Sequence, residues 1–319
     1  IKDIEDKIIR CVGDPKSRFS EDALRILRAW RFSIQLDFQI AENTIDAMKT
    51  QIEKIKSLSA ERIQWEFRNA ISCNPITFQK KTKSMQWIFS AIFPEWEKMD
   101  MDQKNPYHVY TVADHCLFAF ARLPKNADLV LRIATLMHDI GKPSCYADYE
   151  DGTRHFHGHA EKSAEIMETI MQRLKFDNET KNDVVQLIRY HDVFFDESEK
   201  QIKHWLNKIG ETQLRRLFIL RKCDILAQSP LLMQDRFEKV TRLQNTFEKV
   251  LKEKQCFTMK DLAISGKDIM KYLDLQPGEE IGKIKNALLT QVIEGTIKNT
   301  KADLLSAIPV AEKIGSLEA

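Results

Sequence analysis

The chain has 319 residues and a formal net charge of +2, with 43% hydrophobic and 30% charged residues, a balance that excludes an intrinsically disordered protein. Only 10 glycines and 9 prolines occur, so a β-barrel or β-sandwich is disfavoured and helices joined by short loops are expected. Six scattered cysteines without a C-x-x-C pair, and the lack of any long apolar run, predict free thiols, no membrane partner and a cytoplasmic location.

Helical periodicity predicts an all-α protein in three segments, 1–105, 106–230 and 231–319. The first residue is Ile rather than Met and a helix-like pattern is already running there, so we expect the remainder of a longer chain. The middle segment contains a short hairpin between Tyr146 and Gly158, where Asp151-Gly152 marks the turn. Its predicted helices lie near 108–122, 127–140, 160–175, 178–191 and 212–227.

The first candidate site is the run Glu21-Asp22-Ala23-Leu24-Arg25. Asp22 and Arg25 are three residues apart, which makes them neighbours on one face of a helix. A carboxylate accepts a hydrogen bond from the exocyclic amine of a base, and a guanidinium donates in a planar, two-pronged way. Arg28 and Arg31 continue the spacing and fan around the helix toward a longer target, such as a triphosphate. The alternative is an ordinary surface ion pair.

The whole run from Arg18 to Phe32 resembles the neck motif of class II tRNA nucleotidyltransferases, the CCA-adding enzymes and their bacterial poly(A) polymerase relatives. The resemblance implies that Asp22 and Arg25 form Watson–Crick-like bonds to the incoming CTP or ATP. It also implies that Arg28 and Arg31 contact the nucleotide, that tRNA is the partner, and that the helices form a neck, body and tail. The resemblance resumes near the end of the chain, at 262–268 and 277–282.

The catalytic head domain of this family carries a Gly-Ser stretch followed by an Asp-x-Asp pair, which binds two Mg²⁺ ions for nucleotidyl transfer. No such unit precedes Ile1. Asp100-Met101-Asp102 has the right letters, but it lies between Pro94 and Pro106 without a strand pattern, and we interpret it as a polar loop. The head domain is therefore expected to be absent, and the residues given could select a nucleotide but not transfer one.

The second candidate site is the doublet His138-Asp139 at the end of an apolar helix. Two polar side chains at the end of a buried helix need partners. Imidazole and carboxylate ligands together suit a divalent cation such as Mg²⁺, Mn²⁺, Ni²⁺, Fe²⁺ or Zn²⁺, which could activate water for attack on a phosphoester. Further candidate ligands, each on another predicted helix, are His115, His159, His191 and Asp224.

The order of these residues resembles that of the HD-domain phosphohydrolases, and many bacterial members of the tRNA nucleotidyltransferase family carry an HD domain. The resemblance implies that His138 and Asp139 are catalytic as well as metal-ligating. Lys142 could contact a substrate phosphate as a further catalytic residue, or it could be a solvated lysine. The metal ligands that the resemblance implies are His115, His138, Asp139 and Asp224, with His159 and His191 for a second metal.

His108, His155 and His157 lie in the same segment of the chain. His108 precedes His115 by seven residues and is either a ligand or a residue that supports one. His155 and His157 are interpreted as loop residues.

Three functions remain open from the sequence. The leading interpretation is the neck, HD and body/tail portion of a bacterial tRNA nucleotidyltransferase that maintains the 3′ CCA end, with a phosphohydrolase unit. The second is a free-standing metal phosphohydrolase acting on nucleotides or RNA ends. The third is a non-catalytic RNA-binding module whose His/Asp cluster is a structural metal site.

Overall fold

The computed structural model describes residues 1–231, 233–253 and 255–317. It confirms the prediction of a mainly helical fold, and none of the described helices is long and apolar enough to span a membrane. The α-helices in chain order are α1 Lys2–Glu5, α2 Pro15–Glu21, α3 Leu24–Leu36, α4 Glu42–Gln51, α5 Ala60–Ile71, α6 Pro75–Ser84, α7 Gln86–Ile92, α8 Val112–Ala121, α9 Leu129–Met137, α10 His159–Arg173, α11 Asn178–Arg189, α12 Glu199–Ile225, α13 Met233–Lys252, α14 Gly266–Leu273, α15 Glu279–Glu294 and α16 Lys301–Leu317.

Strands are short and few within these described ranges. β1 (Ile8–Ile9) pairs in parallel with β2 (Gln39–Ile40), and β3 (Tyr146–Asp148) pairs antiparallel with β4 (Arg154–Phe156). The second pair is the predicted hairpin, and its turn contains Gly152 at φ +81°, a left-handed conformation that glycine adopts without steric cost. Helices are what the low glycine and proline content predicts, whereas the sequence did not predict the β1–β2 pair.

Capping side chains set where the central helices begin. Thr111, Asp128 and Asp177 precede α8, α9 and α11, and each accepts a hydrogen bond from a backbone N–H of the first turn, at 3.3, 2.9 and 2.8 Å. Because Thr111 caps α8, that helix starts at Val112 rather than at the predicted 108, so His108 lies before the helix and not on it. The predicted helix 212–227 is the latter part of α12, which is interrupted by Gly210 at φ +79°.

The chain forms two compact units. The first contains Ile1–Val193 and Arg216–Phe237, and the second contains Phe194–Arg215 and the residues from Glu238 onward. The division into segments 1–105, 106–230 and 231–319 stays a prediction.

The core of the first unit is aromatic. Trp30 of α3 contacts Phe78 of α6 with ring centroids 5.9 Å apart, and Phe78 contacts Phe120 of α8 at 4.6 Å. Phe67 of α5 contacts Phe89 of α7 at 6.2 Å, and all five rings are almost completely buried. Helices from the first and middle predicted segments therefore share one hydrophobic core.

Arg132 adds a polar link within the same unit. This arginine lies on α9 and is buried. Its guanidinium donates to the backbone carbonyls of Ile71 and Cys73, at 2.8 and 2.7 Å, and to those of Lys125 and Ala127, at 2.7 and 2.8 Å. The last carbonyls of a helix have no partner within the helix, so Arg132 ties the end of α5 to α9.

The second unit is a helical domain in which α15 packs along α16 and both contact α14. A capping box starts α14: Ser265 Oγ accepts from the Asp268 backbone N–H at 3.2 Å, and Asp268 Oδ2 accepts from the Ser265 backbone N–H at 2.9 Å. Asp268 Oδ1 also accepts from Lys301 Nζ of α16 at 2.7 Å. Core residues of this unit include Ile264, Ile269, Ile284, Leu288, Leu289, Leu304 and Ile308.

These contacts make the stability of α14 depend on pH. The hydrogen bonds from Lys301 and Ser265 hold the pKa of Asp268 well below its usual range. A depressed folded-state pKa contributes stability that is complete above the unfolded pKa of about 4 and is lost as the pH falls below it. We expect amide exchange in Gly266–Leu273 to be less protected in Asp268→Asn than in the wild type at pH 7. The protection measured in the two proteins should converge as the pH falls toward about 2. A difference in protection that stays constant with pH would contradict the stabilising role of the Asp268 carboxylate.

Candidate functional site

The first unit brings all six predicted metal ligands together around one centre. His115 lies on α8, His138 caps the end of α9 and Asp139 follows it; His159 begins α10, His191 follows α11, and Asp224 lies near the end of α12. Asp224 Oδ1 is 2.9 Å from His115 Nε2, and His115 Nε2 is 3.3 Å from His138 Nε2. His159 Nε2 is 3.3 Å from His191 Nε2.

Asp139 lies between two groups of histidines. One carboxylate oxygen is 3.3 Å from His138 Nε2 and 3.5 Å from His115 Nε2. The other oxygen is 3.4 Å from His159 Nε2 and 3.5 Å from His191 Nε2. In each group the potential ligand atoms lie within 4.8 Å of one another, so Asp139 is placed where it could bridge two cations.

The four histidines of the cluster are oriented in the same way. Each Nδ1 faces a backbone carbonyl, that of Ala227 for His115 at 3.3 Å, Thr135 for His138 at 2.9 Å, Phe156 for His159 at 2.8 Å and Ile188 for His191 at 2.7 Å. A proton on Nδ1 that is donated to a carbonyl leaves Nε2 as the atom that faces the centre. This is the arrangement by which metal-ligating histidines are held in position.

The charges of the cluster favour a cation. Burial opposes ionisation of Asp139, but His138 and Lys142 outweigh it and hold the pKa of this carboxyl well below its usual range. For Asp224, hydrogen bonds from His115 and His138 likewise outweigh burial and lower the pKa. Among the described residues, Asp139 Oδ1 is buried without a hydrogen-bond partner. An ionised, buried and unsatisfied oxygen beside imidazole nitrogens fits a divalent metal ion.

Lys142 is part of this centre and is not a solvated lysine. It is only 5% exposed, and its Nζ lies 2.7 Å from Asp139 Oδ2 and 2.8 Å from Gln103 Oε1. Gly141 beside it permits the approach of α10: a Cβ at this position would lie 2.5 Å from the Ser163 backbone nitrogen and 2.7 Å from the His159 carbonyl oxygen. Glycine at 141 thus lets α10 carry His159 to the cluster.

The other histidines line the entrance. The His108 ring lies 5.2 Å from the His115 ring, and burial together with Lys142 lowers the pKa of His108 to about 3, so it is neutral. His155 and His157 are in β4 and just after it, and both line a cavity of about 210 Å³ above the cluster. Other lining residues, which no sequence pattern indicates, include Asn105, Arg154, Asp192, Gln228 and Arg236.

The predicted nucleotide-selecting pair, Asp22 and Arg25, does not lie on one face of a single helix. Asp22 lies in an extended turn between α2 and α3, where its Oδ1 accepts from the Leu24 backbone N–H at 3.0 Å. Its two oxygens also accept from Arg62 Nη2 of α5, at 3.1 and 3.0 Å. Arg25, inside α3, contacts Glu21 at 3.1 Å instead. The two residues therefore stay close in the chain, but they are not an i,i+3 helical pair.

Arg28 and Arg31 have different environments on α3. Arg28 is exposed. Arg31 is buried, with Nε 2.6 Å from Glu66 Oε2 and Nη1 2.7 Å from Gln35 Oε1. A cavity of about 440 Å³ between α3 and α5 is lined by Leu24, Arg28, Arg31, Glu61, Arg62, Trp65 and Glu66.

Family models match two parts of the chain. Residues 156–308 match a family described as tRNA nucleotidyltransferase domain 2, putative, and residues 37–77 match one described as a probable RNA and SrmB-binding site of polymerase A. The A-adding tRNA nucleotidyltransferase of Deinococcus radiodurans is 26% identical over 297 residues, covering 90% of this chain and 67% of that protein. The CCA-adding enzyme of Staphylococcus epidermidis is 25% identical over 313 residues, covering 98% of this chain and 66% of that protein.

Solved structures show the same likeness in fold. The CCA-adding enzyme of Bacillus stearothermophilus in complex with CTP superimposes with a TM-score of 0.59 and 19% identity, over 100% of this chain and 69% of that one. A second CCA-adding enzyme in complex with CTP gives a TM-score of 0.54 and 16% identity, over 100% and 65%. The chain thus spans about two thirds of the length of its relatives, and family models and relatives together support the tRNA nucleotidyltransferase family.

Proposed function

We propose that this chain is the nucleotide-selecting and tRNA-binding part of a cytoplasmic tRNA nucleotidyltransferase that adds or repairs the 3′ CCA end. The observation that carries the proposal is the similarity to CCA-adding enzymes along 98% of the chain, together with the run from Arg18 to Phe32. In this proposal the segment 1–105 selects CTP and ATP, 106–230 is an HD-type domain, and 231–319 binds tRNA. Nucleotidyl transfer, with its Mg²⁺ ions, is assigned to a head domain in the part of the relatives that this chain does not match.

The base would be selected at Asp22. Arg62 and the Leu24 N–H fix the carboxylate, and an ionised carboxylate still has acceptor sites left. Cytosine and adenine each present an exocyclic amine that can donate to it, whereas uracil and guanine present a carbonyl oxygen at the corresponding position. Arg25 would then exchange its contact with Glu21 for a bond to the base, and Arg28 would contact a phosphate.

We further propose that the His/Asp cluster is a metal-dependent phosphohydrolase centre. The residues that would hold the cation are His115, His138, Asp139 and Asp224, with His159 and His191 for a second one. A bound Mg²⁺, Mn²⁺, Ni²⁺, Fe²⁺ or Zn²⁺ supplies an acidified water for attack on a phosphoester. Lys142 places a positive charge beside Asp139, where it would attract the phosphate of a substrate.

Two experiments test these activities separately. A separately supplied head domain should restore incorporation of CTP and ATP into tRNA lacking CCA, and a free-standing phosphohydrolase would fail this test. Hydrolysis of nucleotide phosphoesters by the chain in the presence of each cation tests the second centre. Metal-dependent turnover would exclude a purely structural metal site.

The choice of nucleotide should change in Asp22→Ala. Loss of this acceptor removes about 1–3 kcal/mol of discrimination between the bases. Incorporation of CTP and ATP should therefore fall, and incorporation of UTP or GTP should rise relative to that of CTP and ATP. The measurement is incorporation of each single nucleotide into tRNA lacking CCA by the reconstituted enzyme. Arg28→Ala is the matched control, because a phosphate contact is common to all four nucleotides. An equal loss with all four nucleotides in Asp22→Ala would reduce Asp22 to a structural partner of Arg62.

A further inference from the structure

The cavity above the His/Asp cluster has a second cation besides Lys142. Arg236 lies in the first turn of α13, is exposed, and lines this cavity of about 210 Å³. Its Nη1 donates to Gln228 Oε1, and Gln228 Nε2 donates to Asp224 Oδ1 at 3.0 Å. The buried side chain of Gln228 therefore holds Arg236 beside a predicted metal ligand.

Most hydrogen-bond donors of the Arg236 guanidinium are left for a ligand. A guanidinium has five N–H donors, and no carboxylate of the described residues is paired with Arg236. Arg154, which also lines the cavity, differs in this respect. It donates to both carboxylate oxygens of Asp148, at 2.6 and 2.8 Å, and to the Asp102 carbonyl at 3.0 Å. Arg154 is thus used within the hairpin, whereas Arg236 is available to the cavity.

The charges of the cavity favour a doubly charged anion. Apart from histidines, its charged lining residues are three cations and three carboxylates, namely Lys142, Arg154, Arg236, Asp139, Asp192 and Asp224. A divalent cation in the cluster would add two positive charges to this balanced set. A phosphate monoester carries a charge of about −1.5 to −2 at pH 7 and would neutralise them.

We propose that Arg236 binds the phosphate of the substrate, and that the centre hydrolyses phosphate monoesters of nucleotides. A guanidinium binds phosphate oxygens in a planar, two-pronged way. Lys142 donates to Asp139 and Gln103 and has a third N–H donor left. A monoester has three terminal oxygens and a diester has two, so only a monoester can offer a separate oxygen to Lys142, to Arg236 and to a cation.

The inference rests on the proposed phosphohydrolase function and adds its substrate class and a residue that the HD resemblance does not include. In the reaction the ester P–O bond breaks. The attacking water gives its oxygen to the phosphate and a proton to the sugar hydroxyl that leaves.

Calorimetric titration of the Mn²⁺-loaded chain with inorganic phosphate tests the phosphate contact. Arg236→Gln should lower the affinity for phosphate by about 10- to 100-fold, as expected for loss of hydrogen bonds to a charged group. Its affinity for Mn²⁺ should stay unchanged, because Gln228 still donates to Asp224. The matched control is Arg242→Gln, which should bind phosphate like the wild type. Arg242 lies further along α13, outside the cavity, and is paired with Glu197 at 2.8 Å.

A comparison of esters tests the substrate class. The wild type should hydrolyse adenosine 3′-monophosphate faster than the diester bis(p-nitrophenyl) phosphate. Arg236→Gln should lower kcat/KM for the monoester by about 10-fold or more, with a smaller loss for the diester. An oligonucleotide that ends in a 3′-phosphate is also a monoester. Its rate relative to that of the free nucleotide shows whether the centre takes RNA ends or mononucleotides.

Unchanged phosphate affinity in Arg236→Gln, or no phosphate binding by the wild type, would overturn the inference. An equal loss of Mn²⁺ affinity would also overturn it, since Arg236 would then only position Asp224 through Gln228. Faster hydrolysis of the diester by the wild type would refute the substrate class. Failure of the proposed function is distinguishable from these results. If the wild type hydrolyses none of the esters while Arg236→Gln still loses phosphate binding, the hydrolase is refuted and the phosphate site remains.

Discussion

Replacement of Asp139 by asparagine is expected to abolish both metal binding and metal-dependent phosphoester hydrolysis. Asp139 contacts histidines of both groups and is the residue common to them. Loss of a residue that only supports a metal ligand lowers metal affinity by about 10- to 100-fold. Loss of the Asp139 charge should lower metal affinity by more than this. The measurements are calorimetric titration with Mn²⁺ and metal content after dialysis. CCA addition by the reconstituted enzyme should survive, because it uses different residues.

Glu161→Gln is a suitable control for this change. Glu161 lies on α10, two residues after His159, and its side chain is 57% exposed and paired with Arg189. The variant removes a carboxylate from the same region without touching the cluster. Metal binding that is equally reduced in both variants would indicate a general charge effect, and the ligand assignment of Asp139 would be wrong.

A large loss of stability is expected for Arg31→Met. The side chains of Arg31 and Glu66 are 8% and 2% exposed and lie 2.6 Å apart, so the variant leaves a carboxylate buried without its cation. Breaking a buried pair in this way costs about 3–5 kcal/mol. Urea unfolding followed by circular dichroism measures the change in the free energy of unfolding.

The double variant Arg31→Met with Glu66→Leu separates this effect from other roles of Arg31. Replacing both members of a buried pair by apolar residues is often nearly neutral, so the double variant should recover most of the loss. An exposed ion pair contributes about 1 kcal/mol or less to the free energy of unfolding. If Arg31→Met alone lowers that free energy by no more than this, the ion pair with Glu66 does not hold Arg31 in place. It would then be available for the nucleotide contact that the resemblance implies.

The clustering of the predicted metal ligands was the most predictable part of the site. Both side chains of a His-Asp doublet at the end of an apolar helix need polar partners, and α9 does end at Met137 with His138 as its C-cap. The sequence left open whether Lys142 is solvated, because one of its two partners, Gln103, is 39 residues away in the chain. The need for glycine at 141 was equally hidden, since it arises from the backbone of α10.

The geometry at Asp22 was predicted wrongly for a physical reason. Helix-forming residues run through 18–32, and periodicity alone does not detect a turn within such a run. Aspartate competes for backbone N–H groups near helix ends, and Asp22 does so by accepting from Leu24. Its other partner, Arg62, is 40 residues away, a separation that no local pattern encodes.

The link made by Arg132 has a thermodynamic consequence for the first unit. It joins α9, which ends at the His/Asp cluster, to the carbonyls at the end of α5, the helix of Arg62 and Trp65. Because opening either helix would leave hydrogen-bonding groups of the other unsatisfied, we expect α5 and α9 to unfold together. A ligand that binds only the folded form stabilises every element that unfolds together with its site. A cation at about 100 times its dissociation constant adds about 2.7 kcal/mol to the free energy of unfolding. A cation bound at the proposed metal centre would therefore also protect α5 from proteolysis.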